Sequence, residues 1–469
     1  MPGFFFFGFH PSFSRHGIIQ TSLASAHMAE RKRSFYHHQN QQTENTMTKF
    51  RLFVAIFLCT GCFLSASAQR FPDRSGRLAE MRQSVWKEWC TELGRQQPVC
   101  HLEFAPLSEG RTAAWNLPDS LEPKAVMNFR SGTKGVCPDE GWPCYLYLHG
   151  SGPRDSEWET GWKLAQHFAD APSAYIIPQI PNEGKWYRWW QRSKLWAWNH
   201  FLRMLLARPD VDASRLYIFG ISEGAYGSQR LASYYADYFA AAGPMAGGEP
   251  LKNAPVENLG NLAFSFLTGS EDVMFYRNIL TQNTAKALDS IASLYPGTYH
   301  HRVEIIPGRG HHIDYSPTTP WLARHRRTAQ PRHFLWENFE MDSVKRDAFY
   351  NLQVLSETDA YRTAYEFTAG TDNVVAISVR ALEYTTTFTD PWWDIDMLFD
   401  RTYAPAPHGR LRIYLSEELV DLERPVTVTV NGRRLFHGRL KPSREVMLQS
   451  ARLWGDPLRL FPAAVEVEW

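Results

Sequence analysis

The stretch that most constrains this chain is Arg215-Leu-Tyr-Ile-Phe-Gly-Ile-Ser-Glu-Gly-Ala-Tyr-Gly227. An apolar, β-rich run (Leu216 to Phe219) leads into Gly220-Ile-Ser-Glu-Gly224, and a helix-compatible segment follows. Gly-x-Ser-x-Gly between a strand and a helix forces the serine onto a sharp, strained turn. The residues two before and two after it must pack against each other, so both must be small. The Ser222 hydroxyl then stands clear of the sheet at the positive end of a helix. The bare pattern is common by chance, and its surroundings decide what it means.

Those surroundings alternate strands and helices. Short apolar runs at 125–129, 144–148, 174–177, 216–219, 239–242, 262–267 and 302–306 are separated by helical patterns near 190–207, from 222, and near 275–294. Continuously apolar strands in such an order predict a mostly parallel sheet covered on both faces. Near 320 the texture changes, with Pro320, Pro331 and the basic cluster Arg324-His-Arg-Arg327. Beyond it the runs are β-type, at 334–336, 349–355, 361–367, 374–379, 411–415 and 426–430, and Asn431-Gly432 signals a hairpin. We expect a smaller, all-β, sandwich-like domain there.

The chain's 469 residues suffice for two folded domains. Its net charge of +1 gives no reason to expect nucleic acid as a partner. Residues 1–46 have no periodicity and read as a disordered or mis-annotated extension. From Met47 a basic start, an apolar run (Leu52 to Leu64) and Ser65-Ala-Ser-Ala68 have the parts of a secretory signal. The run is too short for a membrane span. We therefore expect translation from Met47, cleavage after Ala68, and a periplasmic or extracellular protein without a stable membrane span. A second reading takes Cys59-Thr-Gly-Cys62 as a lipobox with Cys62 lipidated, although the leading Cys fits it poorly. The expected organisation is 1–46 extension, 47–68 signal peptide, 69–120 N-terminal helical segment, 121–325 catalytic domain and 330–469 β domain.

Four cysteines follow the signal. In an oxidising compartment the local pairs Cys90–Cys100 and Cys137–Cys144 would each close a short loop. The alternative is four free buried thiols. No Cys-x-x-Cys follows the signal, so neither a zinc ribbon nor a thioredoxin-type site is supported.

Three further segments carry chemistry. Upstream, a strand runs into His149-Gly-Ser-Gly152, whose small residues let backbone amides point at a developing oxyanion. The amides of Ser151 and Glu223 are the expected donors. Downstream, the strand at 262–267 ends in Thr268-Gly-Ser-Glu-Asp-Val273, which places Asp272 at the active edge of the sheet, with Glu271 as the alternative. The last strand ends in Pro307-Gly-Arg-Gly-His-His-Ile-Asp314. His311, directly after Gly-x-Gly, is the expected base and His312 the alternative. A metal cluster of His311, His312 and Asp314 lacks a supporting ligand motif. Nothing calls for a cofactor.

The order Ser222, Asp272, His311 differs from the chymotrypsin and subtilisin orders. At these residues the chain resembles the α/β-hydrolase superfamily over roughly 120–320. More narrowly it resembles exported bacterial serine esterases of the polyhydroxybutyrate-depolymerase and feruloyl-esterase type, and the hydrolase domain of prolyl oligopeptidases. The resemblance implies an α/β-hydrolase fold and a serine hydrolase with a Ser-His-Asp triad. The expected activity is a carboxylesterase acting on acylated carbohydrate or a related ester. The rivals are a prolyl-oligopeptidase-type peptidase and a non-catalytic glycan-binding protein on a hydrolase scaffold. No β-propeller precedes the hydrolase segment, and Glu223 departs from the usual neutral or basic residue.

Aromatic residues make up 14% of the chain, including 17 Trp. They are densest in Lys185-Trp-Tyr-Arg-Trp-Trp-Gln-Arg-Ser-Lys-Leu-Trp-Ala-Trp198. Trp186, Trp189 and Trp190 are candidate substrate-binding rings, against the plainer reading that the segment packs a helix onto the sheet. Trp392-Trp393 allows the same two readings.

Overall fold

Strands that are apolar along their whole length must be covered on both faces, and the computed structural model, which describes residues 76–96 and 102–469, has such strands at its centre. The sheet contains β1 (Thr112–Asn116), β2 (Val126–Lys134), β3 (Trp142–Leu148), β4 (Ser173–Pro178), β5 (Val211–Ile221), β6 (Ala241–Met245), β7 (Ala263–Gly269) and β8 (His301–Ile306). Its spatial order is β1-β2-β4-β3-β5-β6-β7-β8. β2 is antiparallel to both its neighbours, and β4 through β8 are joined by parallel pairings. Every residue of β3, β4, β6 and β7 is buried.

Alternation along β3 sorts its side chains into two cores. Leu146 and Leu148 join one core with Ile176, Ile218, Leu195, Phe201 and Leu205. Tyr145 and Tyr147 join the other with Tyr175, Phe219, Ala165 and Leu322. Helices therefore flank both faces. The helices up to this point are, in chain order, α1 (Arg77–Gln96), which lies off the sheet, and α2 (Arg154–His167), α3 (Arg192–Ala207), α4 (Glu223–Tyr234), α5 (Arg277–Leu294) and the short α6 (Thr318–Leu322).

Beyond residue 330 the chain builds two more sheets. β9 (His333–Asn338), β12 (Arg362–Ala369), β13 (Val374–Asp390), β16 (Val426–Val430) and β17 (Arg433–Gly438) form one, with β14 (Ile395–Pro405) paired to β13. β10 (Ala348–Phe349), β11 (Leu352–Ser356), β15 (Arg410–Leu415) and β18 (Ala463–Glu468) form the other. The sheets share buried rings, with Trp336 stacked on Phe349 at 5.3 Å. This is the expected sandwich-like β region following the mostly parallel sheet. Asn431 and Gly432 form the β16–β17 turn with positive φ at both positions.

Several expectations change. The segment 69–120 is not only helical, because β1 lies within it and starts the sheet before residue 121. The C-terminal region also holds a helix, α7 (Arg444–Trp454), with Ser443 as N-cap and Gly455 in the left-handed conformation after its end. α7 packs on α1 through Met447, Leu448, Val85 and Trp89. Cys137 and Cys144 are free thiols. Cys144 is buried in β3, whereas Cys137 is exposed in the preceding loop, so the short loop joins two different environments rather than two facing sulfurs. Cys90 is also free, and Cys100 lies outside the described residues. So do the extension, the expected signal peptide, Cys59 and Cys62. No helix among the described residues is long and apolar enough to cross a membrane.

The central sheet and the β sandwich are joined by buried charge. Asp237, after α4, receives Arg346 and Arg459 from the β region. Asp456 receives Arg327 at 2.7 Å and Arg459 at 2.6 Å.

Candidate active site

Strain at the turn after β5 follows from close approach of backbone. Ser222 has φ 56° and ψ −114°, a conformation that L-residues rarely adopt. A Cβ on Gly220 would lie 2.3 Å from the Gly224 carbonyl oxygen, and one on Gly224 would lie 2.0 Å from that of Leu148. Only glycine fits at either position. α4 begins at Glu223, so the Glu223 amide belongs to the first turn of a helix, where amides have no intrahelical acceptor.

The Ser222 hydroxyl donates to His311 Nε2 at 3.0 Å. His311 Nδ1 lies 2.8 Å from Asp272 Oδ2, and since a carboxylate only accepts, the ring proton sits on Nδ1. The loop carrying His311 approaches because Gly269 has no side chain; a Cβ there would meet the Arg309 and Gly310 carbonyls at 2.2 Å. Asp272 is buried, while Glu271 and His312 are exposed. Burial alone would raise the Asp272 pKa. The His311 hydrogen bond and the Arg277 charge more than offset this and hold it below the usual carboxylate range.

Arg277, the first residue of α5, was not a candidate from the sequence. It donates to Asp272 Oδ1 at 2.9 Å and to the Tyr226 hydroxyl at 2.9 Å. The only available signal was an arginine soon after the acidic loop, which is too common to read.

The 149–152 loop is held from behind. His149 is buried, and burial pushes its pKa down to about 4. Its Nε2 accepts the Ile180 amide at 3.1 Å, so its Nδ1–H donates to the Gly150 carbonyl at 2.8 Å. The Tyr187 hydroxyl donates to the same carbonyl at 2.8 Å. A trans peptide points its N–H opposite to its C=O, so these two bonds also fix the direction of the Ser151 amide.

A cavity of about 610 Å³ opens beside Ser222 and is lined by Ser151, Glu223, Trp190 and Arg277 among others. Of the three candidate rings only Trp190 lines it, with the Arg230 guanidinium 4.1 Å from its centroid. Trp189 is fully buried and donates to the His149 carbonyl, so it supports the loop instead. Trp186 is half-buried beneath the ammonium groups of Lys185 and Lys194. The opposite wall comes from the β region: Thr389, Asp394, Ile395 and Asp396 at the tip of the β13–β14 hairpin. Sequence reasoning stopped its strand at 379 and missed this approach.

Glu223 is buried, and burial pushes its carboxyl up to about 7, with Arg188 working against the rise. Its Oε1 lies 3.5 Å from Arg188 but accepts no hydrogen bond.

The strand order, the antiparallel β2 and a serine raised on a strand-to-helix turn after β5 define the α/β-hydrolase fold. Comparison with solved structures gives a thermostable esterase at 22% identity and TM-score 0.37, covering 47% of this chain and 64% of that one. It also gives the fluorophosphonate-binding serine hydrolase F of Staphylococcus aureus, at 13% identity and TM-score 0.33 over 46% of this chain and 95% of that one. A ferulic acid esterase matches at 14% and 0.33 over 46% and 97%. These similarities cover about half of the chain or less, and the fold assignment rests on the topology above. No protein-family model and no curated protein sequence matches the chain.

Proposed function

We propose that the protein is an exported serine hydrolase that cleaves carboxylic esters through Ser222, His311 and Asp272. The observation that carries this reading is the hydrogen-bonded series from Asp272 through His311 to a serine held at positive φ. His311 Nε2 takes the Ser222 proton as Oγ attacks the ester carbonyl. Asp272 keeps the ring proton on Nδ1 and stabilises the imidazolium that forms. The Ser151 and Glu223 amides receive the tetrahedral oxyanion. The imidazolium then protonates the leaving alkoxide, and water activated by the same base releases the acid. The ester of an acylated carbohydrate is the substrate class proposed, since the cavity wall combines an indole with carboxylates able to accept hydroxyl hydrogens.

Fluorophosphonate labelling tests the reading. Wild type should label, and Ser222→Ala should not; an unlabelled wild type would overturn it. Hydrolysis of p-nitrophenyl acetate without cleavage of a Gly-Pro anilide is the result expected of an esterase, and the reverse would make it a peptidase.

A further inference from the structure

The β13–β14 hairpin reaches from the sandwich to the cavity, and its tip is fixed. Tyr276 donates to Asp390 Oδ1 at 2.6 Å, while Asp390 Oδ2 accepts the amides of Trp392 at 3.0 Å and Trp393 at 2.7 Å. Lys252 pairs with Asp396 at 3.0 Å. Trp393 packs on Phe275 at 4.4 Å. At the base, Arg401 of β14 pairs with Glu257 of the hydrolase part. A hairpin held at both ends presents its tip rigidly.

That tip exposes apolar surface. Trp392 is 81% and Trp393 46% exposed. Val273 and Met274, on the loop Trp393 touches through Phe275, are 61% and 54% exposed. Those four are half of the eight large apolar side chains exposed among the described residues, and the Trp393–Phe275 contact brings their two segments together. The patch adjoins the Ser222 cavity, because residues 394–396 line that cavity.

We propose that this hairpin tip is a binding platform for a neutral polysaccharide, which carries an ester group into the Ser222 cavity. The inference rests on the esterase reading and adds the polymer and its docking surface. A free indole face suits the C–H face of a pyranose ring. Carboxylates beside it suit sugar hydroxyls, which donate hydrogen bonds. Asp394 is an exposed carboxylate at the cavity wall with no cation on it among the described residues. Each arginine of the lining faces a carboxylate: Arg188 faces Glu223, Arg230 faces Glu249 and Arg277 faces Asp272. Above about pH 7, where Glu223 is ionised, none of these three arginines is left uncompensated for an anionic polymer. Asp390, Asp394 and Asp396 also set the tip against an anionic membrane surface.

The experiment compares acetylated glucomannan, acetylated pectin and p-nitrophenyl acetate as substrates of wild type and Trp392→Ala. The ratio of kcat/KM for acetylated glucomannan to that for p-nitrophenyl acetate should fall about tenfold in Trp392→Ala, through KM, with Trp392→Tyr restoring most of it. Trp392 packs little, so thermal unfolding of the variant should match wild type. A ratio within twofold of wild type would overturn the platform. So would preference for the pectin, or a wild-type dimer that Trp392→Ala dissolves in sedimentation. Binding of deacetylated glucomannan to Ser222→Ala, by affinity electrophoresis, reads the platform without catalysis. Retention that Trp392→Ala abolishes supports it even if Ser222 fails to label; absence of retention overturns it even if Ser222 does label.

Discussion

Replacing Asp272 by Asn should disable the site for a reason particular to this chain. Asp272 serves two donors: His311 Nδ1 on Oδ2 at 2.8 Å and Arg277 on Oδ1 at 2.9 Å. An asparagine has one oxygen. A guanidinium can only donate, so Arg277 takes that oxygen and turns the NH2 towards His311. The ring must then accept at Nδ1 and carry its proton on Nε2, facing the Ser222 hydroxyl. The base is lost while the geometry survives. The expected loss in kcat is about 10⁴-fold, or about 5.5 kcal/mol at about 1.36 kcal/mol per decade. Adding Arg277→Leu removes the pull on the amide oxygen and lets it turn back to His311. The double variant should therefore be at least about tenfold faster than Asp272→Asn alone, although Arg277→Leu by itself should slow the proposed hydrolysis. Pre-steady-state release of p-nitrophenol from p-nitrophenyl acetate measures all four proteins. If Arg277→Leu slows Asp272→Asn further, the amide-orientation reasoning is wrong. If Asp272→Asn costs less than about tenfold, Asp272 does not orient the base.

Glu223 has an ordinary pKa of 4.5 when unfolded and about 7 when folded, so the folded protein binds the extra proton between those values. Stability should fall as pH rises from about 4.5 to about 7 and then level off, by about 3 kcal/mol for this group, and Glu223→Gln should make the curve shallower by that amount in urea unfolding while the similar contribution of buried Glu337, also pushed up to about 7, stays; parallel curves for the two proteins would refute it. Asp237→Asn leaves Arg346 and Arg459 buried around a neutral amide, at a cost of about 3–5 kcal/mol, which calorimetry should read as a Tm lower by roughly 4–6 °C. Tyr187→Phe removes one of the two donors on the Gly150 carbonyl and loosens the Ser151 amide, so kcat should fall about tenfold with KM little changed in steady-state assays.

The turn that carries Ser222 was legible because its chemistry is backbone chemistry. Two glycines at fixed spacing are the only residues that fit where their Cβ atoms would lie 2.0–2.3 Å from carbonyl oxygens. The order Ser222, Asp272, His311 was legible for a related reason: each sits just beyond an apolar strand, and parallel strands end on one edge. Facing was not legible. Trp189 and Trp190 are neighbours in a run of rings, yet one backs the 149 loop and the other lines the cavity. Only the turn of the chain before α3 decides which. Residues 380–405 escaped because the outer hairpin has little buried face; along its tip exposed and half-buried residues alternate, and the apolar periodicity fades. Cys137 and Cys144 were misjudged because a short loop says nothing about which way a sulfur points at its end.

Residues 272–277 tie the β region to the chemistry. Phe275 and Tyr276 both have positive φ, 54° and 55°, although neither is glycine. Such backbone costs on the order of 1–2 kcal/mol per residue and persists only where neighbours hold it. The neighbours here belong to the hairpin: Trp393 against Phe275 and Asp390 against Tyr276. The next residue is Arg277, which holds Asp272. The hairpin therefore stabilises a strained turn whose far side positions the acid that orients His311. The same contacts that carry the exposed indoles to the cavity also fix the carboxylate hydrogen-bonded to His311, so the proposed polymer docking and the proposed proton transfer would share one structural support.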